Sequence, residues 1–274
     1  MEAETKVEFS LPAKAENVPL IRHALSGVAE AVDMEPSAIA DLKTVVTEAC
    51  MNVVIHAYEG ELGPGPLDVS AWPSNGQLVV RVADRGKGIR PLADVENRSL
   101  RLGLPLIAAL TESFEISGGP GRGTAVTMRV NGEGIDEEAG GEVDVAAPET
   151  PDETQIRVPA NDLLAPVLSR VISMFAARAD FSVDQLSDAV LLSDALSAQG
   201  PDRFPDGTAR IAVSEEESSF SVRVGPLAED GGQRLLEGLR IPSLDASLEG
   251  LAEEVRVEHH SDGERLVLRI GRPR

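Results

Sequence analysis

A single cysteine, Cys50, stands among 274 residues, so no disulfide can close within the chain. That count fits a reducing compartment. Aromatic residues make up only 3% of the sequence while hydrophobic residues reach 42%, so the cores have to be built from Leu, Val, Ile and Ala. No apolar run approaches the roughly 20 residues of a membrane span. The acidic opening Met1-Glu2-Ala3-Glu4 lacks the basic-then-apolar layout of a secretion signal. A soluble, cytoplasmic protein is expected. Positive charge is also scarce: 25 Lys and Arg against 46 Asp and Glu leave a formal net charge of −21. Such a surface repels phosphates, which argues against nucleic acid and anionic membrane as partners. It permits a basic protein partner, although acidity more often serves solubility alone.

The clearest break in the chain is 131–154, rich in acids, Gly and Pro and without Lys or Arg. A segment of this kind buries too little apolar surface to offset its ordering entropy, and it reads as an acidic, disordered linker. It separates a domain at 1–130 from one at 155–274. The two flanks repeat a pattern. Each opens on a short alternating strand ending in Pro-Ala, at Pro12-Ala13 and Pro159-Ala160. Each continues with a long helical pattern, at 16–32 and 161–179, and then a second helix, starting near Glu35-Pro36 and near Ser182-Val183. Paired strands follow at 67–72 with 78–83 and at 209–213 with 220–224, the first pair joined by the hairpin signal Pro73-Ser74-Asn75-Gly76. A short helix at 103–111 or 244–252 leads to a last strand pair, at 113–117 with 124–130 and at 254–258 with 265–270. This order predicts two tandem α/β layers, each with helices on one face of a mixed sheet.

The second helix of the first half carries the apolar stripe Leu42, Val45, Val46, Ala49 and Val53. Glu48, Asn52 and His56 fall at i, i+4 and i+8 and share a neighbouring face. A carboxamide oxygen suits Mg²⁺, and a carboxylate one turn away can take a proton from a hydroxyl; spacing alone equally fits an ordinary solvated face. The strand at 78–83 ends in Asp84-Arg85-Gly86-Lys87-Gly88, where alternating glycines allow a tight turn and close backbone approach. The Asp84 carboxylate there can accept from an exocyclic amine such as that of adenine. Leu102-Gly103-Leu104-Pro105 reads as a helix start, whose free N–H groups suit an anion, with Pro105 tolerated in the first turn. Gly121-Arg122-Gly123-Thr124 enters the last strand, and Thr124 either lines a pocket or favours the strand.

Singly these features are common, but their order is specific. Glu48-x-x-x-Asn52-x-x-x-His56-Ala57-Tyr58, then Asp84-x-Gly86-x-Gly88, then Leu102-Gly103-Leu104, then Gly123-Thr124-x-Val126 resembles the conserved boxes of the GHKL superfamily, the histidine kinase-like ATPases. The form of the first box is most similar to the anti-sigma-factor serine kinases of the RsbW and SpoIIAB type. The resemblance covers roughly residues 6–130.

The resemblance implies a Bergerat α/β sandwich that uses ATP and Mg²⁺. Asp84 would hold the adenine amine and Asn52 would ligate Mg²⁺. Glu48 would act as general base on a serine of a protein substrate. Gly86, Gly88 and Gly103 would let backbone approach the nucleotide, Thr124 would sit near the adenine, and His56 would serve a structural or phosphate-side role. The implied partners are a sigma factor and an anti-anti-sigma protein of the STAS type. Two departures bear on this. The stretch between Ile89 and Gly103, where the family keeps its ATP lid, is short, and Arg101 replaces a family glycine, so that it either contacts a phosphate or blocks close approach. The alternative function is a pseudo-kinase that binds proteins without transferring phosphate. The second half reads as a degenerate copy: no Asn matches Asn52 where Asp194-Ala195 fall near the Glu48 position, and neither Asp-x-Gly-x-Gly nor Gly-Thr recurs. Its role would be that of a second protomer's surface, a pseudo-dimer within one chain, or of a partner-binding module in its own right. His259 and His260 are adjacent in a strand and point to opposite sides, poor geometry for a metal.

Overall fold

The computed structural model describes residues 6–88, 100–131, 151–183, 186–187, 190–191, 193, 203–216, 218–238 and 252–271. The chain divides into two compact units, the first ending at Asp152 and the second starting at Glu153.

The first unit opens on β1 (Val7–Pro12), whose residues alternate between buried and half-buried. A short 3-10 turn, Ala15–Asn17, leads into α1 (Val18–Ala31), with Pro19 in its first turn, where a missing N–H costs nothing. The helix closes on Asp33 in the left-handed region (φ 54°). The Met34 N–H returns to the Ala29 carbonyl at 3.0 Å. α2 (Pro36–Asn52) follows and buries Leu42, Val45, Val46 and Ala49, the stripe read from the sequence. Burying a Leu or Val side chain of this kind contributes about 1.5–3 kcal/mol. β2 (Pro66–Ser74) and β3 (Gln77–Asp84) form a hairpin through Asn75 and Gly76, both at positive φ. α3 (Leu100–Leu110), β4 (Ser113–Gly118) and β5 (Thr124–Asn131) complete the unit. The sheet order is β4-β5-β3-β2-β1. α2 packs on β3 and β5 and touches both α1 and α3.

The second unit runs β6 (Thr154–Pro159), α4 (Leu164–Arg178), β7 (Thr208–Glu215), β8 (Ser219–Leu227), α5 (Gly231–Gly238), β9 (Glu254–His260) and β10 (Gly263–Gly271). Its sheet order is β6-β7-β8-β10-β9, the same succession of pairings as β1-β2-β3-β5-β4. Local closures recur as well. The N–H of Ala13 bonds the Gly65 carbonyl and that of Ala160 bonds the Gly207 carbonyl, each at 2.8 Å. Asp180 (φ 56°) ends α4 as Asp33 ends α1, with the Phe181 N–H on the Ala176 carbonyl at 3.1 Å. Although aromatics are few, Phe220 gathers Phe175 and Phe181 at centroid distances of 5.9 and 5.8 Å.

The α/β class stands, with one detail changed. Every strand pairing described within a unit is antiparallel rather than mixed. In the first unit, β5 returns by a hairpin from β4 to lie between β4 and β3. A short helix of the second unit lies at Gly231–Gly238, a segment not read as helical from the sequence. The helix expected at 244–252 falls, up to residue 251, outside the described residues, as do 132–150 of the linker and Asp194-Ala195.

Candidate nucleotide site

α2 carries Glu48 and, as its last residue, Asn52, both half-buried. They meet at a third element. A Cβ placed on Gly103 of α3 would stand 3.1 Å from Glu48 Oε2 and 3.4 and 3.5 Å from Asn52 Nδ2 and Oδ1. Glycine at 103 therefore lets the backbone of α3 come against a carboxylate and a carboxamide at once. Gly103 is the fourth residue of α3 rather than its first, and Pro105 lies inside the helix, not in the expected first turn. Proline has no N–H for the Arg101 carbonyl four residues before it, which loosens the turn. Arg101 belongs to α3 by its backbone, and its side chain lies outside the described residues, as does the segment 89–99 of the expected lid.

Past Asn52 the helical period changes. Val53–Ala57 form a π turn, with wider i→i+5 closure. His56, half-buried, lies within this turn, one residue before its end. Such turns concentrate at functional sites. Cys50, between the two polar residues, faces the core, where burial pushes its thiol far above the ordinary range and leaves it inert.

A second group forms at the end of β3. Asp84 is 8% exposed. Its Oδ1 accepts the Gly86 N–H at 2.9 Å and the Thr124 N–H at 3.2 Å. Burial raises its carboxyl above the usual range, opposed by those two backbone donors and the Thr124 hydroxyl. A buried carboxylate at the mouth of a glycine turn can accept a ligand's donor as well. The glycines here are close-packed. A Cβ on Gly86 would overlap the Ala57 carbonyl, and one on Gly88 (φ 70°) the Gly119 carbonyl. Gly123 (φ 71°), the glycine of the Gly123-Thr124-x-Val126 motif, lies on the Asp84 carbonyl, and Gly121 N–H bonds Lys87 O at 3.0 Å. Gly123→Ala is expected to cost about 2–4 kcal/mol through left-handed strain and backbone overlap. A urea midpoint lowered at constant slope is the measure, and a loss below roughly 0.5 kcal/mol would contradict the packing.

The two groups are linked through the end of the helix. The Lys87 N–H bonds Ala57 O at 3.1 Å, Lys87 Nζ reaches Glu59 O, and the Arg85 N–H bonds the Tyr58 hydroxyl at 2.9 Å. On the α1 side, Glu48 also borders a hollow of about 370 Å³ lined by Arg22, His23, Lys43, Thr44 and Thr47. No cluster of three or more His, Cys, Asp or Glu with metal-binding geometry occurs among the described residues. A Mg²⁺ held by one Asn, phosphates and water needs none.

The profile of the histidine kinase-like ATPase domain matches residues 11–130, wholly within the first unit. The anti-sigma F factor of Caldanaerobacter subterraneus subsp. tengcongensis is 30% identical over 137 residues, covering 47% of this chain and 94% of that one. The chain belongs to the histidine kinase-like ATPase family. Within it, the serine-protein kinase RsbW of Bacillus velezensis is 34% identical over 143 residues, 47% of this chain and 89% of that one. The anti-sigma F factor of Thermoanaerobacter sp. (strain X514) is 28% identical over 137 residues, 47% and 94% of the two chains.

The second unit differs at the matching place. Leu67 of β2 faces Leu11 and Asp84. Ala209 of β7 faces Val158, and the ladder from β7 to β8 ends at the Arg210–Gly225 pair. Counted one residue on from that last pair, Pro226 falls at the place that Asp84 holds opposite Leu67. The carboxylate nearby is Glu264, on β10. It accepts the Asp230 N–H at 3.2 Å and the Gly232 N–H at 2.8 Å, so it caps α5. His259 Nδ1 lies 3.3 Å from Glu264, and His260 Nε2 lies 3.4 Å from Glu258.

Proposed function

We propose that the first unit binds Mg-ATP and transfers its terminal phosphoryl group to a serine of a protein partner, in a partner-switching system that controls a sigma factor. The observation that carries this reading is the meeting of Glu48 and Asn52 at Gly103, linked through the helix end to the buried Asp84. Asp84 holds the adenine amine beside Thr124, with Gly86 and Gly88 keeping the turn close. Asn52 supplies a hard oxygen to Mg²⁺, which when bound neutralises phosphate charge. Glu48 takes the proton of the serine hydroxyl. The hollow that Glu48 borders is where a protein segment would approach it. The relatives named an anti-sigma factor and a serine-protein kinase support the choice of partners, a sigma factor and an anti-anti-sigma protein. Incubation with γ-labelled ATP and a candidate anti-anti-sigma protein tests it. Label on a partner serine is expected, and label absent from a partner that binds tightly would rule transfer out.

The second reading keeps binding without transfer, as a pseudo-kinase. It is favoured by Arg101 in place of a family glycine and by the short stretch before Gly103. The same assay separates the two.

We read the second unit as a copy that has lost the nucleotide site. The repeated pairing order, the shared closures at Ala13 and Ala160 and the replacement of Asp84 by Pro226 support this. Its proposed role is to supply the surface that a second protomer would otherwise bring.

A further inference from the structure

The Tyr58 hydroxyl has no part in the chemistry above, yet it sits at a junction. It follows the π turn directly, donates to the Pro66 carbonyl at 2.6 Å and accepts the Arg85 N–H at 2.9 Å. Its ring lies so close over Gly65 that a Cβ there would overlap it. Phenylalanine would fill the same space, so packing accounts for the ring and not for the hydroxyl. Burial pushes this hydroxyl up to about 12, which keeps it protonated and donating throughout the neutral range.

Both of the bonded groups adjoin Asp84. Arg85 is its chain neighbour, and Pro66 precedes Leu67, which faces Asp84 across β2 and β3. The Arg85 side chain is tied separately: its Nη2 reaches Asp68 Oδ2 at 3.1 Å, and Asp68 Oδ1 accepts the Ser10 hydroxyl at 2.6 Å. Residue 85 is therefore held at its amide by the helix end and at its guanidinium by the sheet. The carboxylate one residue earlier has little freedom to turn.

We infer that Tyr58 is a positioning residue: through the Arg85 amide it fixes the Asp84 carboxylate in the orientation that accepts the exocyclic amine of a purine, tying adenine recognition to the helix that carries Glu48 and Asn52. The inference rests on the ATP reading and adds that recognition of the exocyclic amine depends on a hydroxyl that never touches the ligand.

The test compares ATP with purine riboside triphosphate, which lacks only the amine, by calorimetry on the full chain and its Tyr58→Phe variant. Titrations are run well below the unfolding transition, so that lost stability does not enter. The wild type is expected to favour ATP about tenfold or more, the worth of one hydrogen bond to a carboxylate. In Tyr58→Phe the preference shrinks to under about threefold, while affinity for the amine-free nucleotide stays within about twofold. Equal weakening of both nucleotides, with the preference intact, marks Tyr58 as a structural prop and overturns the inference. An unchanged ATP affinity also overturns it. A wild type that binds neither nucleotide removes the ATP reading itself, an outcome distinct from a failure at Tyr58 alone.

Discussion

Glu48→Gln is expected to slow phosphoryl transfer to a partner serine by about 10²- to 10⁴-fold, the usual worth of a positioned general base. Affinity for Mg-ATP should stay within roughly threefold, because the substitution removes an interaction made only in the transition state. Glutamine keeps the length and planarity of the side chain, so the contact with Gly103 and the place of Asn52 one turn on are retained. What it lacks is a basic oxygen. Loss of the rate with binding intact assigns proton acceptance to Glu48. A variant as fast as the wild type removes Glu48 from the chemistry and leaves it a contact residue.

Asp84→Asn is expected to separate stability from function. Its Oδ1 can still accept the Gly86 and Thr124 N–H groups, and the buried charge is gone. Burial raises the carboxyl of Asp84 in the folded chain above its unfolded value. The stability linked to this group is therefore complete below the unfolded value and is lost as pH rises through the folded one. At neutral pH the ionised carboxylate weighs against folding, so the variant should be as stable as the wild type or more so. That advantage should fade as the pH falls toward the carboxylate range. Binding should suffer severely. An amide NH₂ facing the adenine amine sets donor against donor, and the expected loss is at least about a hundredfold in affinity. At a ligand concentration a hundred times the wild-type Kd, ATP stabilises by about 2.7 kcal/mol, a rise in Tm of roughly 5–10 °C. In Asp84→Asn this rise should vanish while the ligand-free Tm holds. A variant that keeps the ATP-induced rise would place adenine recognition elsewhere.

Local pattern made much of this arrangement legible. The stripe Leu42, Val45, Val46, Ala49 and Val53 is buried as its period implied, and Asn75-Gly76 turns the hairpin as its residue types require. Four motifs in order named Glu48, Asn52, Asp84 and Gly103, of which Glu48, Asn52 and Gly103 meet in the fold. What escaped depends on partners distant in sequence. α5 starts at Gly231, outside every helix read from the sequence, and its cap is Glu264, 32 residues beyond Gly232. The π turn that holds His56 coincides with bonds from the Asp84 turn to Ala57 and Tyr58, which no 3.6-residue period encodes. α3 begins before Gly103 although Pro105 suggested a later start. There Gly103 and the fully buried Ile107 are fixed by packing rather than by the preference of proline for a first turn.

Calorimetric titration of Mg-ATP into the full chain tests the central claim most directly, since it counts sites as well as measuring affinity. The account requires one site per chain, abolished by Asp84→Asn, with the second unit silent. Two sites per chain, or heat of binding unchanged by Asp84→Asn, would contradict it.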